Sequence, residues 1–139
     1  MTVEQRKNEL ERFGFVVKSE GESWIRLEKK DVENTRFITL VFNSTNKVID
    51  EDVFSTKTVH KVGSAEFYHE DLKKIAEEEK YVCTSSAIYQ IMFSPAQKRY
   101  YGNKVADIKG IAQRGRYYLL TAKQINNILG YDLLNEKNY

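Results

Sequence analysis

The alternation of apolar and polar residues predicts mostly short strands separated by polar turns. The clearest strand covers residues 36–43, where β-branched and aromatic side chains occupy both faces. Two apolar faces indicate a central, covered strand. Shorter strands are predicted over 15–18 and 24–28, and another begins at Val48, with turn-forming residues between them. This spacing is typical of an antiparallel meander.

The N-terminal helix is predicted from its first residues. Thr2 and Gln5 form a capping box, in which each side chain bonds the backbone N–H of the other. The helix is expected over about 3–13, with Gly14 at its left-handed C-terminal end. A second helix, predicted over 66–80, has apolar residues near helical spacing and a charged outer side.

The strongest helix start lies later in the chain. Ser94 has the chemistry of an N-cap, Pro95 suits the first helical position, and Gln97 completes a capping box. The pattern predicts one helix over about 95–113. Because glycine weakens a helix, two short helices broken near Gly102 are the alternative.

The C-terminal part has a third capping box. Thr121 and Gln124 open a helix over 122–129, and Gly130 is its predicted C-cap. A short strand over 117–120 precedes it. The tail is expected to dock Leu133 and Leu134 and then fray.

Two stretches are less defined. Residues 87–93 read either as a buried strand or as a short helix, and residues 50–63 have no strong period and are predicted to be partly loop. Together the elements predict a single α+β domain over 1–139. It has an antiparallel sheet of about four to five strands, an N-terminal helix, the helix over 66–80 and C-terminal helices.

Composition sets the broad class. The 139 residues are 41% hydrophobic and 30% charged, which is enough to build one globular core. Cys83 is the only cysteine, so an intrachain disulfide and a multi-cysteine metal site are excluded. Residues 1–11 contain no apolar signal core, and no apolar run approaches the roughly 20 residues of a membrane span. We therefore expect a cytoplasmic protein without a membrane partner.

Charge is distributed unevenly along the chain. Residues 1–93 hold 14 Lys/Arg and 17 Asp/Glu, whereas residues 94–139 hold 8 and 3, a net charge of +5. Residues 94–125, which we name the basic segment, contain most of the basic residues of this C-terminal part together with two Tyr-Tyr pairs. The candidate binding residues within it are Lys98, Arg99, Tyr100, Arg114, Arg116, Tyr117, Tyr118 and Lys123.

The basic segment has three interpretations. Converging cations with flat tyrosine rings suit single-stranded nucleic acid. Tyr and Arg are also enriched in protein-interface hot spots, which suits a protein with an acidic surface. The third interpretation is a solvated basic surface with part of its tyrosines in the core. If 95–113 is one helix its charges diverge, and the turn over 113–118 is the narrower candidate.

Other candidate chemistry is sparse. Cys83 reads as a small core residue or, with His60 or His69, as a thiol nucleophile. The two histidines read as exposed residues or as transition-metal ligands with neighbouring carboxylates. The acidic run 50–52, followed by a lysine, reads as a solvated loop or as a metal-dependent nuclease centre.

We predict a small non-enzymatic binding protein that recognises a macromolecular partner through the basic segment. An inhibitor or accessory factor of a nucleic-acid-handling enzyme fits such a chain. The alternatives are a protein that binds nucleic acid directly and a small metal-dependent nuclease. The common nucleotide-binding and hydrolase motifs do not occur, and no cofactor or metal is expected. The sequence does not indicate an oligomeric state.

Overall fold

The computed structural model describes residues 1–109 and 111–134. The chain divides into two compact units, Met1–Thr58 and Val59–Tyr139. Helices combined with antiparallel sheets confirm the α+β class. The described strands form sheets of four, four and two strands instead of the one expected sheet. That the chain is a single domain stays a prediction.

The first unit is one helix and a four-stranded antiparallel meander in the order β1-β2-β3-β4. Its elements are α1 (Val3–Arg12), β1 (Val16–Glu20), β2 (Trp24–Lys30), β3 (Asn34–Phe42) and β4 (Val48–Lys57).

The start of α1 is confirmed as predicted. The Gln5 N–H donates to the Thr2 hydroxyl at 3.2 Å, and the Thr2 N–H donates to the Gln5 side chain at 3.0 Å. Gly14 follows the helix with a left-handed φ of 95°. Leu10 of α1 joins the buried side chains of β2 and β3 in one core cluster, whose strand members are Ile25, Leu27, Ile38 and Leu40.

Strand β3 is central, as its two apolar faces predicted, because it pairs with both β2 and β4. On the face away from α1, Phe37 stacks on Phe54 with 4.8 Å between ring centroids, and the Arg26 guanidinium lies 5.6 Å from the Phe54 ring. The prediction that residues 50–63 are partly loop holds only for residues 58, 59 and 63. Pairing with β3 holds residues 50–57 extended, and residues 60–62 form a further strand.

The second unit contains two helices and six strands among its described residues. They are β5 (His60–Val62), β6 (Ala65–Phe67), α2 (His69–Glu77), β7 (Tyr81–Cys83), β8 (Ala87–Ser94), β9 (Arg99–Asp107), β10 (Tyr118–Leu120) and α3 (Ala122–Leu129). Strands β5 and β6 form a hairpin, and the others form an antiparallel sheet in the order β10-β7-β8-β9.

This sheet is packed on both faces. Val82 lies in a cluster with Leu72 of α2 and residues of the β5–β6 hairpin. Cys83, the next residue of β7, lies in a separate cluster with Ile125 of α3. Because successive strand residues point to opposite faces, the two clusters are on opposite sides of the sheet.

The predicted helix over 95–113, whole or divided, is wrong. Residues 99–107 form strand β9, and residues 95–98 form the turn that joins it to β8, which ends at Ser94. Ser94 and Pro95 are as suitable for a turn as for a helix start, because a turn needs the same side-chain acceptor and fixed φ. Pairing along β8 decides between them. Gly102 is required here, since a β-carbon would lie 2.6 Å from a Val62 methyl group.

The other helical predictions hold with changed bounds. Helix α2 covers His69–Glu77 instead of 66–80, because the first of those residues belong to β6. Helix α3 begins with the predicted Thr121–Gln124 capping box and ends at Gly130, whose φ is 79°. Residues 87–94 are a strand, which resolves that alternative.

The C-terminal tail agrees with its prediction as far as it is described. Leu134 is buried in the cluster around Ile125. Residue 110 and residues 135–139, on which parts of the predictions fall, lie outside the described residues. Within the described chain, no helix has the length and apolar composition needed to span a bilayer.

Candidate functional site

The predicted binding residues fall into two groups. The first, on the β8–β9 hairpin, consists of Lys98, Arg99 and Tyr100; the second, around β10 and the start of α3, consists of Arg114, Arg116, Tyr117, Tyr118 and Lys123. Strands β9 and β10 are opposite edges of the sheet. Three strand spacings separate them, about 14 Å. The charges of the basic segment therefore do not converge on one patch.

The β8–β9 hairpin extends past its neighbouring strand. The last pair between β7 and β8 is Tyr81 with Gln90, whereas β8 continues to Ser94. The four further residues cover about 13 Å. We call residues 91–102 the hairpin tip.

The turn at the end of the hairpin fixes the first basic group. The Gln97 N–H donates to the Ser94 hydroxyl at 3.4 Å, and the Arg99 Nε donates to the Gln97 side-chain oxygen at 2.5 Å. Lys98 has a left-handed φ of 52°. As a result Lys98 is exposed and Arg99 is half-buried at the start of β9.

The tip exposes apolar side chains on both of its faces. Met92 is opposite Tyr101, and Phe93 is opposite Tyr100, with 5.0 Å between the last two ring centroids. The exposed fractions are 39% for Met92, 49% for Phe93 and 37% for Tyr101. Sequence reasoning missed Met92 and Phe93 because it placed their run in the core. The available signal was the difference in strand length: β7 has three residues and β8 has eight, so the end of β8 has no neighbour in β7.

An aromatic row joins the tip to the packed part of the second unit. Tyr100 contacts His69 at 5.6 Å between centroids, and His69 lies 6.4 Å from His60. His60 is opposite Phe67 in the β5–β6 hairpin, and Phe67 contacts Tyr117 at 4.9 Å. Tyr100 and Tyr117 therefore have packing roles in addition to any binding role.

The two histidines are closer than the sequence indicated. The Nδ1 atom of His69 is buried without a hydrogen-bond partner among the described residues. Within those residues, no group of three or more His, Cys, Asp or Glu side chains is arranged to hold a metal ion.

The second group is exposed to solvent. Arg114 and Arg116 flank Gly115, whose φ of 81° turns the chain, and the Arg116 N–H donates to the Gln113 carbonyl at 3.0 Å. Lys123 is exposed in the first turn of α3. These cations are therefore available to solvent, at the edge of the sheet opposite the tip.

One cation of the basic segment is already paired. The Lys104 ammonium lies 2.9 Å from an Asp107 carboxylate oxygen. This hydrogen bond and the nearby negative charge raise the pKa of Lys104. Lys104 is therefore a weaker candidate for a partner than Lys98 or Arg99.

The thiol is inaccessible. Cys83 has no exposed surface, and burial raises the pKa of its thiol from 9.0 to about 11. A nucleophilic cysteine needs the opposite shift and access to solvent. The environment of Cys83 is that of a small core residue.

The acidic run does not form a cluster. Asp50, Glu51 and Asp52 lie on β4, so Glu51 points to the face opposite the two aspartates. Glu51 is paired with Arg6 of α1 at 2.8 Å. The three carboxylates thus do not converge on one point.

Comparisons with protein-family models, with curated proteins and with solved structures found no match to this chain. The functional proposal therefore depends on the geometry and chemistry of the chain itself.

Proposed function

We propose that this chain is a non-enzymatic binding protein that recognises a protein with an acidic surface through the hairpin tip. One observation carries the proposal. Met92, Phe93 and Tyr101 are exposed beside Lys98 and Arg99 on a hairpin that extends past the neighbouring strand β7.

The composition of the tip favours a protein interface. Interface cores are enriched in aromatic residues, Met and Arg, and a few such residues supply most of the binding energy. Pairing of β8 with β9 holds the backbone of these residues in place, which lowers the conformational entropy lost on binding. Lys98 and Arg99 add the positive charge that an acidic partner would attract.

The same composition makes a protein the better candidate than nucleic acid. Affinity for nucleic acid comes mainly from phosphate contacts, and a typical interface makes several of them. The tip offers two cations and three exposed apolar side chains. A chain of this size that presents its exposed apolar and basic residues at one hairpin tip suits an inhibitor or accessory factor, for example of a nucleic-acid-handling enzyme. A cytoplasmic location stays a prediction.

Affinity capture from a cell lysate, with and without nuclease treatment, tests the proposal. We expect a captured protein to survive nuclease treatment and to decrease at least about tenfold for the Lys98→Glu/Arg99→Glu variant, because two attractive charges become repulsive. Lys73→Glu/Lys74→Glu, on the exposed side of α2, is the matched control, with the same charge change in the same unit.

Two results would overturn the proposal. Capture that is unchanged by Lys98→Glu/Arg99→Glu, in a variant with unchanged circular dichroism, would remove the tip as the contact. Capture that nuclease abolishes would identify nucleic acid as the ligand. In that case Arg114→Glu/Arg116→Glu should reduce binding of a labelled single-stranded oligonucleotide and flatten its salt dependence.

A further inference from the structure

The outer edge of β4 is open along most of its length. Strand β4 pairs on one side with β3 and has no strand on its other side among the described residues. At its start, Val48 donates to the Met1 carbonyl, and Thr2 forms a bridge with Lys47. From Ile49 to Lys57 every residue is exposed.

Two of the other three edges of the four-stranded sheets are blunted. Strand β1 has five residues and a bulge, and β10 has three residues. The third, β9, pairs regularly with β8 only from Arg99 to Lys104 before its register shifts. Short strands and bulges are the usual means of preventing edge pairing. The single irregularity of β4 lies beside Val48, so residues 50–57 form a regular edge of about 27 Å.

The direction of the backbone groups along this edge follows from the ladder. The Thr58 N–H donates to the Glu33 carbonyl, so the pairs with β3 that exchange hydrogen bonds include Asp52 and Phe54 of β4. The alternate residues Glu51, Val53 and Ser55 then direct their N–H and C=O groups outward. This row is the hydrogen-bonding pattern that an added strand needs.

The side chains beside the edge determine what kind of strand fits. Asp50 and Asp52 point to one face, where they are opposite Val41 and Thr39 of β3, and neither forms an ion pair within the described chain. Phe54 follows on the same face. An antiparallel strand with two basic residues, one residue apart, places a cation opposite each aspartate.

We propose that the β4 edge is a docking site for an extended basic segment of a partner protein. The segment adds as an antiparallel strand, with lysine or arginine opposite Asp50 and Asp52 and an apolar residue opposite Phe54. This surface lies in the first unit and is independent of the hairpin tip.

The probe is the labelled peptide acetyl-Thr-Ile-Thr-Lys-Thr-Lys-Thr-amide, followed by fluorescence anisotropy with the full chain. We expect saturable binding that weakens at least about fivefold in the Asp50→Asn/Asp52→Asn variant, since two charge pairs are lost. The matched peptide has the same composition with adjacent lysines, acetyl-Thr-Ile-Thr-Lys-Lys-Thr-Thr-amide. It should bind more weakly, because one lysine then points to the opposite face, where the Glu51 carboxylate is already paired with Arg6.

Backbone substitutions test the strand geometry directly. N-methylation of the threonine between the lysines should abolish binding, whereas N-methylation of a lysine, whose N–H points away from β4, should not. Val53→Pro should also abolish binding without removing a bond to β3, since proline is tolerated where the N–H faces outward. Val53→Thr is its control, and circular dichroism checks both folds.

Three outcomes of the peptide experiments would overturn the proposal. They are the absence of saturable binding, binding that is insensitive to Asp50→Asn/Asp52→Asn, and binding that is equal for both N-methylated peptides. A fourth result would also overturn it: the parent chain sediments as a dimer, Val53→Pro dissociates that dimer, and the parent chain does not bind the peptide. A second copy of the chain would then occupy the edge. None of these results bears on Lys98 or Arg99, so failure here is distinguishable from failure of the proposed function.

Discussion

Cys83 lies with Ile88 and Ile125 in a core cluster of the second unit, without exposed surface. Burial disfavours the thiolate, which explains the raised pKa of its thiol. The sequence was compatible with two roles for this residue, a small core residue and a thiol nucleophile. The choice between them depends on contacts with residues of β8 and α3. Such contacts are not visible from the neighbours of a residue along the chain.

The thiol should therefore react slowly in the folded protein. With a pKa of about 11 instead of 9.0, the thiolate fraction at pH 8 falls roughly 100-fold, and burial adds a steric barrier. We expect Ellman's reagent to label Cys83 at least about 100-fold more slowly in buffer than in guanidinium. Labelling at equal rates would contradict this.

The same shift affects stability. Below pH 9 the thiol is protonated in both the folded and the unfolded state. Between about pH 9 and pH 11 the unfolded state loses the proton first, so the free energy of unfolding should fall as pH rises. Cys83→Ala should reduce this fall relative to the parent chain.

At the scale of elements, capping sequences correctly predicted the starts of two of the three helices. A third such sequence did not start a helix, because contacts with distant residues decided its structure. The capping boxes at Thr2 and Thr121 are satisfied by residues three positions away, so sequence alone identifies them. The similar signal at Ser94 forms a hairpin turn. Its outcome depends on pairing between β8 and β9 and on the contact of Gly102 with Val62.

The left-handed turn residue of this hairpin gives a test that separates stability from binding. Lysine in the left-handed region is strained, so Lys98→Gly should raise the free energy of unfolding by up to about 1 kcal/mol. It should also weaken partner capture, because a tip charge is lost. Glu79→Gly is the matched control: its φ is 54° after α2, so it should stabilise the fold and leave capture unchanged. Undiminished capture by Lys98→Gly would argue against a role for this charge.

At the scale of the whole molecule, the sequence predicted part of the composition of the candidate site but not its position. The sequence identified Lys98, Arg99 and Tyr100 from charge and aromatic content. It missed Met92 and Phe93, because their exposure depends on where β7 ends beside β8. The α+β class was predictable from alternation and caps, whereas the division into two units depends on long-range contacts that the pattern does not encode.

The single-domain prediction has a direct test at this scale. Trp24, the only tryptophan, lies in the first unit, so its fluorescence follows the unfolding of that unit. Gly102→Ala should destabilise the second unit by roughly 1–3 kcal/mol, because the added methyl group overlaps Val62. If the chain is one cooperative domain, the tryptophan transition and the circular dichroism transition should shift together.

The control for this experiment is Asn103→Ala, an exposed neighbour on the same strand, which should change stability by less than about 0.5 kcal/mol. A shift confined to circular dichroism would show that the units unfold separately and would contradict the single-domain prediction.

The contact between Gly102 and Val62 also sets the register of β9 against β8. If β9 slipped by two residues along β8, Tyr100 or Lys104 would meet Val62 in the place of the hydrogen atom of glycine. A slip by one residue would exchange the two faces of the strand. The absence of a side chain at Gly102 thus determines which residues of β9 lie at the end of the hairpin.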